Sequence, residues 1–156
     1  MITNYLENNY LVLVGKITSD KKFSHEIYGE SFYVFNLEVP RLSQTSDIIP
    51  ITISERLLVN FDLTIGKEVE IEGQFRSYNS HEKTKTCLLL HAFVKELDIL
   101  DSDEEAGSMN EIFLQGFLCK APVYRKTPLG REIADVLLAV NREYGRHIED
   151  CNIMGH

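Results

Sequence analysis

Flat and cationic side chains interleave at four places along this sequence. Tyr124-Arg125-Lys126 is followed by Arg131 across a Thr-Pro-Leu-Gly turn, and Arg142 and Tyr144 come soon after. Earlier in the chain, Arg41 and Arg56 flank an apolar stretch, and Arg76 and Tyr78 end another. Guanidinium and ammonium groups neutralise phosphates, while phenol rings lie flat against bases. Together they are the residue types needed to hold an unpaired nucleic-acid strand. Of these sets, the one around Tyr124 to Arg131 has the best local mixture and little acid nearby.

Other chemistries find less support. His25, His81, His91, His147 and His156 show no metal-ligand spacing, so neither a metal nor a cofactor is expected. There is no glycine-rich phosphate loop and no GxSxG, and nothing points to an enzyme. Glu68, Glu70 and Glu72 alternate along one strand and read as a solvated face turned away from phosphate. Three scattered cysteines, Cys87, Cys119 and Cys151, argue against a disulfide framework and suit a reducing cytoplasm. The start of the chain has no leader pattern, and no apolar run approaches a membrane span, so no membrane association is expected. Net charge is −8, but residues 99–110 carry four acids and no base, and residues 111–156 balance. Half of the acidic excess thus sits in one short segment around Asp101-Ser102-Asp103-Glu104-Glu105, which reads as a solvated linker.

The elements that position the basic groups are strands. Val69, Ile71 and Phe75 alternate with Glu68, Glu70, Glu72, Gln74 and Arg76, the pattern of a half-buried strand over 66–76. By that parity Phe75 is core and Arg76 points outward. Gly73 falls on the inward side, where it marks a bend or a close backbone approach. A first strand spans about Tyr10–Lys22, with Gly15 in its middle. A second spans Phe32–Val39, with Tyr33, Phe35 and Leu37 inward and Phe32 outward, as a base platform or under a loop. A third spans Ile48–Ser54, followed by a short connector of helical or irregular form. A polar hairpin, Tyr78–Thr84, leads to a fifth over Lys85–Leu97. Five strands in this order predict an all-β chain whose first part is a five-stranded Greek-key barrel, the OB-fold.

Shifted by 101 residues, segment 9–41 lies on 110–142 without a gap. Gly15 meets Gly116, Gly29 meets Gly130, Leu37 meets Leu138 and Arg41 meets Arg142. The second copy stops just past its third strand, a second, incomplete OB-fold. The expected organisation is residues 1–98 as the first domain, 99–109 as an acidic linker and 110–156 as the partial second domain. Half a barrel leaves edges and apolar faces uncovered. Completion against another subunit is expected, or the chain is a shortened form of a longer one.

With these residues assembled, the chain resembles the bacterial single-stranded DNA-binding protein family. The first copy matches through Tyr10-Leu11-Val12-Leu13-Val14-Gly15-Lys16 and Gly66-x-x-Val69-x-Ile71-Glu72-Gly73-Gln74-x-Arg76. The second matches through Asn110-x-Ile112-x-Leu114-x-Gly116, Pro122-x-Tyr124-Arg125-x-Thr127-Pro128-x-Gly130 and Leu138-Ala139-Val140-Asn141-Arg142. The resemblance is closest to the tandem-OB form of clostridia and their relatives. It implies sequence-tolerant binding of single-stranded DNA in replication, recombination and repair, a cytoplasmic, nucleoid-associated location, a homodimer, and replication or repair proteins as partners. The chain departs from the family in having no Trp, in Ile48 and Ser54 where stacking residues are expected, in Met154-Gly155-His156 at the third strand's end, and in lacking the glycine-rich, acid-tipped tail. Those departures favour an alternative, an OB-type assembly module like primosomal replication protein N, with weak DNA binding or none.

Overall fold

The computed structural model describes residues 8–82, 85–101, 109–144 and 147–155, without side chains at 78–82, 85–87, 142–144 and 147–155. Among the described residues, eleven strands and one short helix follow in order: β1 (Asn9–Ile17), β2 (Lys22–Ile27), β3 (Glu30–Pro40), β4 (Ser46–Ser54), α1 (Glu55–Leu58), β5 (Glu68–Glu82), β6 (Lys85–Ile99), β7 (Asn110–Leu114), β8 (Phe117–Leu118), β9 (Val123–Lys126), β10 (Glu132–Tyr144) and β11 (His147–Gly155). No described helix is long and apolar enough to cross a membrane. Two compact units divide the chain. One comprises Tyr10–Arg76 with Leu90–Phe113. The other comprises the residues up to Asn9, Ser77–Leu89 and Leu114–His156.

The first unit is the barrel. Its sheet runs β2-β3-β4-β6-β5-β1-β7, and an extra β1–β3 pairing closes the ring. Closure removes the free edges that an open sheet would expose. The inward residues of the alternating strands form one core: Leu11, Leu13, Ile17, Phe35, Leu37, Val39, Ile51, Ile53, Val69, Ile71, Ala92, Val94 and Leu97. Phe75 and Tyr33 pack against it, as their parity predicts. Gly73 makes the close approach expected of it. A Cβ there would stand 1.9 Å from the Phe93 carbonyl oxygen, well inside van der Waals contact.

Two boundaries differ from expectation. The first strand ends at Ile17, and β2 begins a separate hairpin with β3. Polar groups make that corner: the Thr18 amide donates to the Asn36 carbonyl at 3.0 Å and Ser19 Oγ accepts from the Asn36 amide at 2.8 Å. The fourth strand does not stop at Arg76, because β5 runs on to Glu82. Residues 77–89 lie outside the barrel's compact unit. With no barrel core behind them they carry no apolar alternation to read. The connector after β4 is one turn of helix, capped by Ser54, whose Oγ accepts from the Arg56 amide at 3.2 Å.

The second unit repeats the first where the sequence does. In the barrel, Lys16 pairs with Glu38 and Ile17 with Leu37. In the second copy, Phe117 pairs with Ala139 and Leu118 with Leu138, the same partners displaced by 101. Lys22↔Val34 and Phe23↔Tyr33 recur as Val123↔Asp135 and Tyr124↔Ala134. The third strand then diverges. Val39 faces Asp47, eight positions on, whereas Val140 faces Cys151, eleven on. The second copy has no counterpart of β5 and β6 among the described residues, and its third strand sits in a different register.

Candidate nucleic-acid interface

The outer face of the barrel gathers a row of flat and cationic groups. Core parity on β3 and β6 puts Phe35, Leu37, Ala92 and Val94 inside, so Phe32 and Phe93 stand on the opposite face. The strand between them, β4, offers only small groups: Ser54 opposite Phe32 and Thr52 opposite Phe93. The two phenyl rings therefore meet across it, 5.8 Å apart and tilted by 40°. A bulge in β2 between Phe23 and His25 turns the imidazole of His25 onto Phe32. There it stacks at 4.8 Å and 12°, and Ser24 Oγ lies 2.9 Å from its Nδ1. At the other end, the Arg76 guanidinium lies 3.7 Å over Phe93. Gln74 Oε1 accepts from Arg76 Nε at 3.2 Å and from Nη2 at 2.8 Å, which steadies the fork over the ring. Thr52 Oγ1 and His91 Nδ1 meet at 2.8 Å beside the row.

His25, Phe32, Phe93 and Arg76 thus form a pre-stacked line across β2, β3, β6 and β5. Phe32 and Arg76 are buried within it, at 7% and 8% exposure. His25 is exposed and Phe93 half-buried. A flat, partly cationic line of this kind suits bases and the phosphates between them. Beside it, Phe23 meets Tyr33 edge-on at 6.1 Å, and Lys21 Nζ stands 5.1 Å over the Tyr33 ring.

The residues singled out in the sequence fare unevenly. Arg76 faces outward as expected, but it is packed on Phe93 rather than extended into solvent. Arg41 donates to Asp47 through Nε at 2.7 Å and Nη2 at 2.5 Å. The paired hydrogen bonds raise the Arg41 pKa and lower that of Asp47. Arg56 is largely exposed, with Nε 3.8 Å from Glu30. Among the second-copy set, Arg125 Nε donates to Asp135 at 2.8 Å. The Tyr124 hydroxyl donates to Glu132 at 3.0 Å, which raises the phenol pKa. Acids on β10 thereby occupy two of the four groups on this hairpin. Lys126 and Arg131 remain exposed with no side-chain partner among the described residues. The side chains of Tyr78, Arg142 and Tyr144 lie outside those described.

Sequence reasoning missed Phe93 and His25. The signal for Phe93 was present: Ala92 and Val94 are inward, so the residue between them faces out with His91 and Lys95. For His25 no signal exists, because the bulge that aims it is not written in the alternation.

No protein-family model and no curated protein matches the chain. Solved structures do. The dimeric structure of the N-terminal domain of PriB protein from Thermoanaerobacter tencongensis is 48% identical, with a TM-score of 0.53, over 61% of this chain and 99% of that one. A deletion variant of the single-stranded DNA binding protein from Thermus aquaticus superposes with a TM-score of 0.66 over 94% of this chain and 74% of that one, at 19% identity. The single-stranded DNA-binding protein of Plasmodium falciparum, in complex with single-stranded DNA, gives a TM-score of 0.51 at 16% identity, over 61% of this chain and 96% of that one. The latter two likenesses establish the fold.

Proposed function

The chain belongs to the bacterial single-stranded DNA-binding protein family, PriB included, and from that premise we propose that it binds unpaired DNA with tolerance for sequence. The observation that carries this reading is the row His25, Phe32, Phe93 and Arg76 on the barrel's outer face. Each stacked base contributes about 1–3 kcal/mol in such sites, and each neutralised phosphate adds to the salt slope. Arg56, Lys126 and Arg131, each an exposed cation, are proposed phosphate contacts in this reading. Tyr78, Arg142 and Tyr144 keep the role their sequence context suggests.

The finer assignments are proposals on the same footing: work in replication, recombination and repair, a nucleoid-associated cytoplasmic location, replication or repair proteins as partners, and no enzymatic activity. The division into residues 1–98, 99–109 and 110–156 is retained for the repeat it follows. A homodimer is proposed because the PriB domain above is described as dimeric. One observation favours a part for the second copy in assembly. Phe117 and Leu118 are 70% and 60% exposed, and Ile112 48%.

Fluorescence polarisation with labelled oligo-dT, at low and at high salt, tests the main reading. Binding is expected at low salt, with a log–log slope of several units as salt rises. A flat trace at low salt eliminates it and leaves the assembly module.

A further inference from the structure

An open edge strand invites unwanted pairing, and proteins guard it with charge rather than large apolar rings. Strand β2 is such an edge: it ends the barrel's sheet, and all six of its residues are exposed. Yet Phe23 sits on it, 61% exposed. The bulge between Phe23 and His25 decides where the groups of β2 point. Without it, residues two apart would share a face. With it, His25 pairs with Phe32 on the outer face, while Phe23 pairs with Tyr33, which packs against the core on the other. The lysines divide in the same way. Lys22 pairs with Val34, two residues on from Phe32, and Lys21 Nζ stands over the Tyr33 ring. Both lysines are exposed, with no ion-pair partner among the described residues. Each face of β2 therefore offers a flat group and a cation, with an open edge between them.

The second copy makes the corresponding hairpin without the bulge. Phe23 and His25 correspond there to Tyr124 and Lys126, which pair with Ala134 and Glu132 in unbroken alternation. Tyr124 and Lys126 thus share one face, and Glu132 accepts from the Tyr124 hydroxyl. The bulge belongs to the first copy alone. Since every residue of β2 is exposed, no burial of its own side chains requires it, and re-aiming a side chain at a binding surface is a known use of such bulges.

We propose that the bound strand does not end at His25 but turns over the β2 edge, placing a further base on Phe23 and phosphates on Lys22 and Lys21 at the crossing. The proposal rests on the single-strand reading above and adds a second subsite to it. The row from Arg76 through Phe93 and Phe32 to His25 leads the strand to β2. Every base has a flat face to lay on a phenyl ring, so the added subsite keeps the tolerance for sequence.

The test uses the full chain and labelled oligo-dT of about fifteen nucleotides, near the upper end of what one such barrel holds. Phe23→Leu keeps an apolar side chain but loses the flat ring, and should weaken binding about five-fold or more. Phe23→Tyr should bind as wild type does. A merely structural phenylalanine would give the reverse, because Leu fills its place and the ring's flatness is then immaterial. Lys21→Ala and Lys22→Ala should each lower the log–log salt slope by about 0.7, the share of one phosphate on a single strand. Wild-type affinity in Phe23→Leu, or a salt slope unchanged in the lysine variants, overturns the crossing and leaves the outer row standing. Failure of the wild-type chain to bind at low salt overturns the single-strand reading, and the crossing with it.

Discussion

The two copies share their backbone instructions and differ in what covers them. Gly15 and Gly116 occupy the same position 101 residues apart. A Cβ on the first would stand 2.3 Å from the Glu38 carbonyl oxygen, and on the second 2.1 Å from that of Ala139, the residue equivalent to Glu38. Both glycines therefore let two strands cross at the same spot, and both copies pair in the same register beside it. Burial does not follow. Leu11 and Ile17 are each 1% exposed, while their equivalents Ile112 and Leu118 are 48% and 60% exposed. Val140 matches its counterpart, at 2% against 0% for Val39. Register is a local property of glycines and turns, whereas burial needs covering strands, and the second copy has no counterpart of β5 and β6 among the described residues.

The widest separation between the copies is expected in stability. Leu37 is fully buried, and Leu37→Ala removes a core side chain at a cost of about 2–5 kcal/mol. Leu138, its equivalent, is half-buried, and Leu138→Ala should cost less than about 1.5 kcal/mol. In urea melts followed by circular dichroism, the first variant should lose much of the main transition and the second little. Equal losses would mean that something covers the second copy as fully as β5 and β6 cover the first.

A smaller contrast is expected in binding. Phe93→Ala breaks the stacked row and takes away the ring beneath Arg76. It should weaken oligonucleotide binding by about 1–3 kcal/mol with little change in salt slope. Tyr124→Ala removes a phenol whose hydroxyl is engaged by Glu132, and should cost less than about 0.5 kcal/mol. Polarisation titrations of the two variants at one salt concentration decide it. The reverse order would move the stacking surface to the second copy and revive the hairpin that the sequence favours.

The strands, the barrel and the repeat were legible because each is written in local pattern: alternation at Val69, Ile71 and Phe75, breaks at Pro40 and Gly29, and glycines where strands touch. The stacked row was only half legible. Phe32 and Arg76 show outward parity in the sequence. The packing of Phe32 against Phe93 depends on Ser54 and Thr52 being small on the strand between them, a contact across three strands, while Arg76 reaches Phe93 from the neighbouring strand β5. The pairing of Arg125 with Asp135 was also hidden. It joins residues ten apart across a turn, so a segment with little acid nearby in sequence proved to have acid opposite in space. The length of β5 escaped because residues 77–82 serve no barrel core and so follow no apolar rule.

The narrowest contrast concerns a surface ion pair. Arg41 clamps Asp47 across the β3–β4 loop, whereas Arg142, its equivalent, stands in register opposite Glu149. The first loop should therefore sense acid through Asp47. Hydrogen bonding to Arg41 lowers the Asp47 pKa in the folded chain. A lowered folded pKa favours the folded state above the unfolded value, near 4, and that benefit fades as pH falls through the folded value. Both partners are well exposed, with side-chain exposures of 57% and 37%, so solvent screening keeps the effect small. Wild type should melt slightly above Asp47→Asn at pH 7, and the gap should close as pH drops below about 4. The Arg41 pKa is raised, which keeps its charge constant throughout that window, so Asp47 alone titrates. A gap that persists undiminished in acid would show that Asp47 supports the loop through its shape rather than its charge.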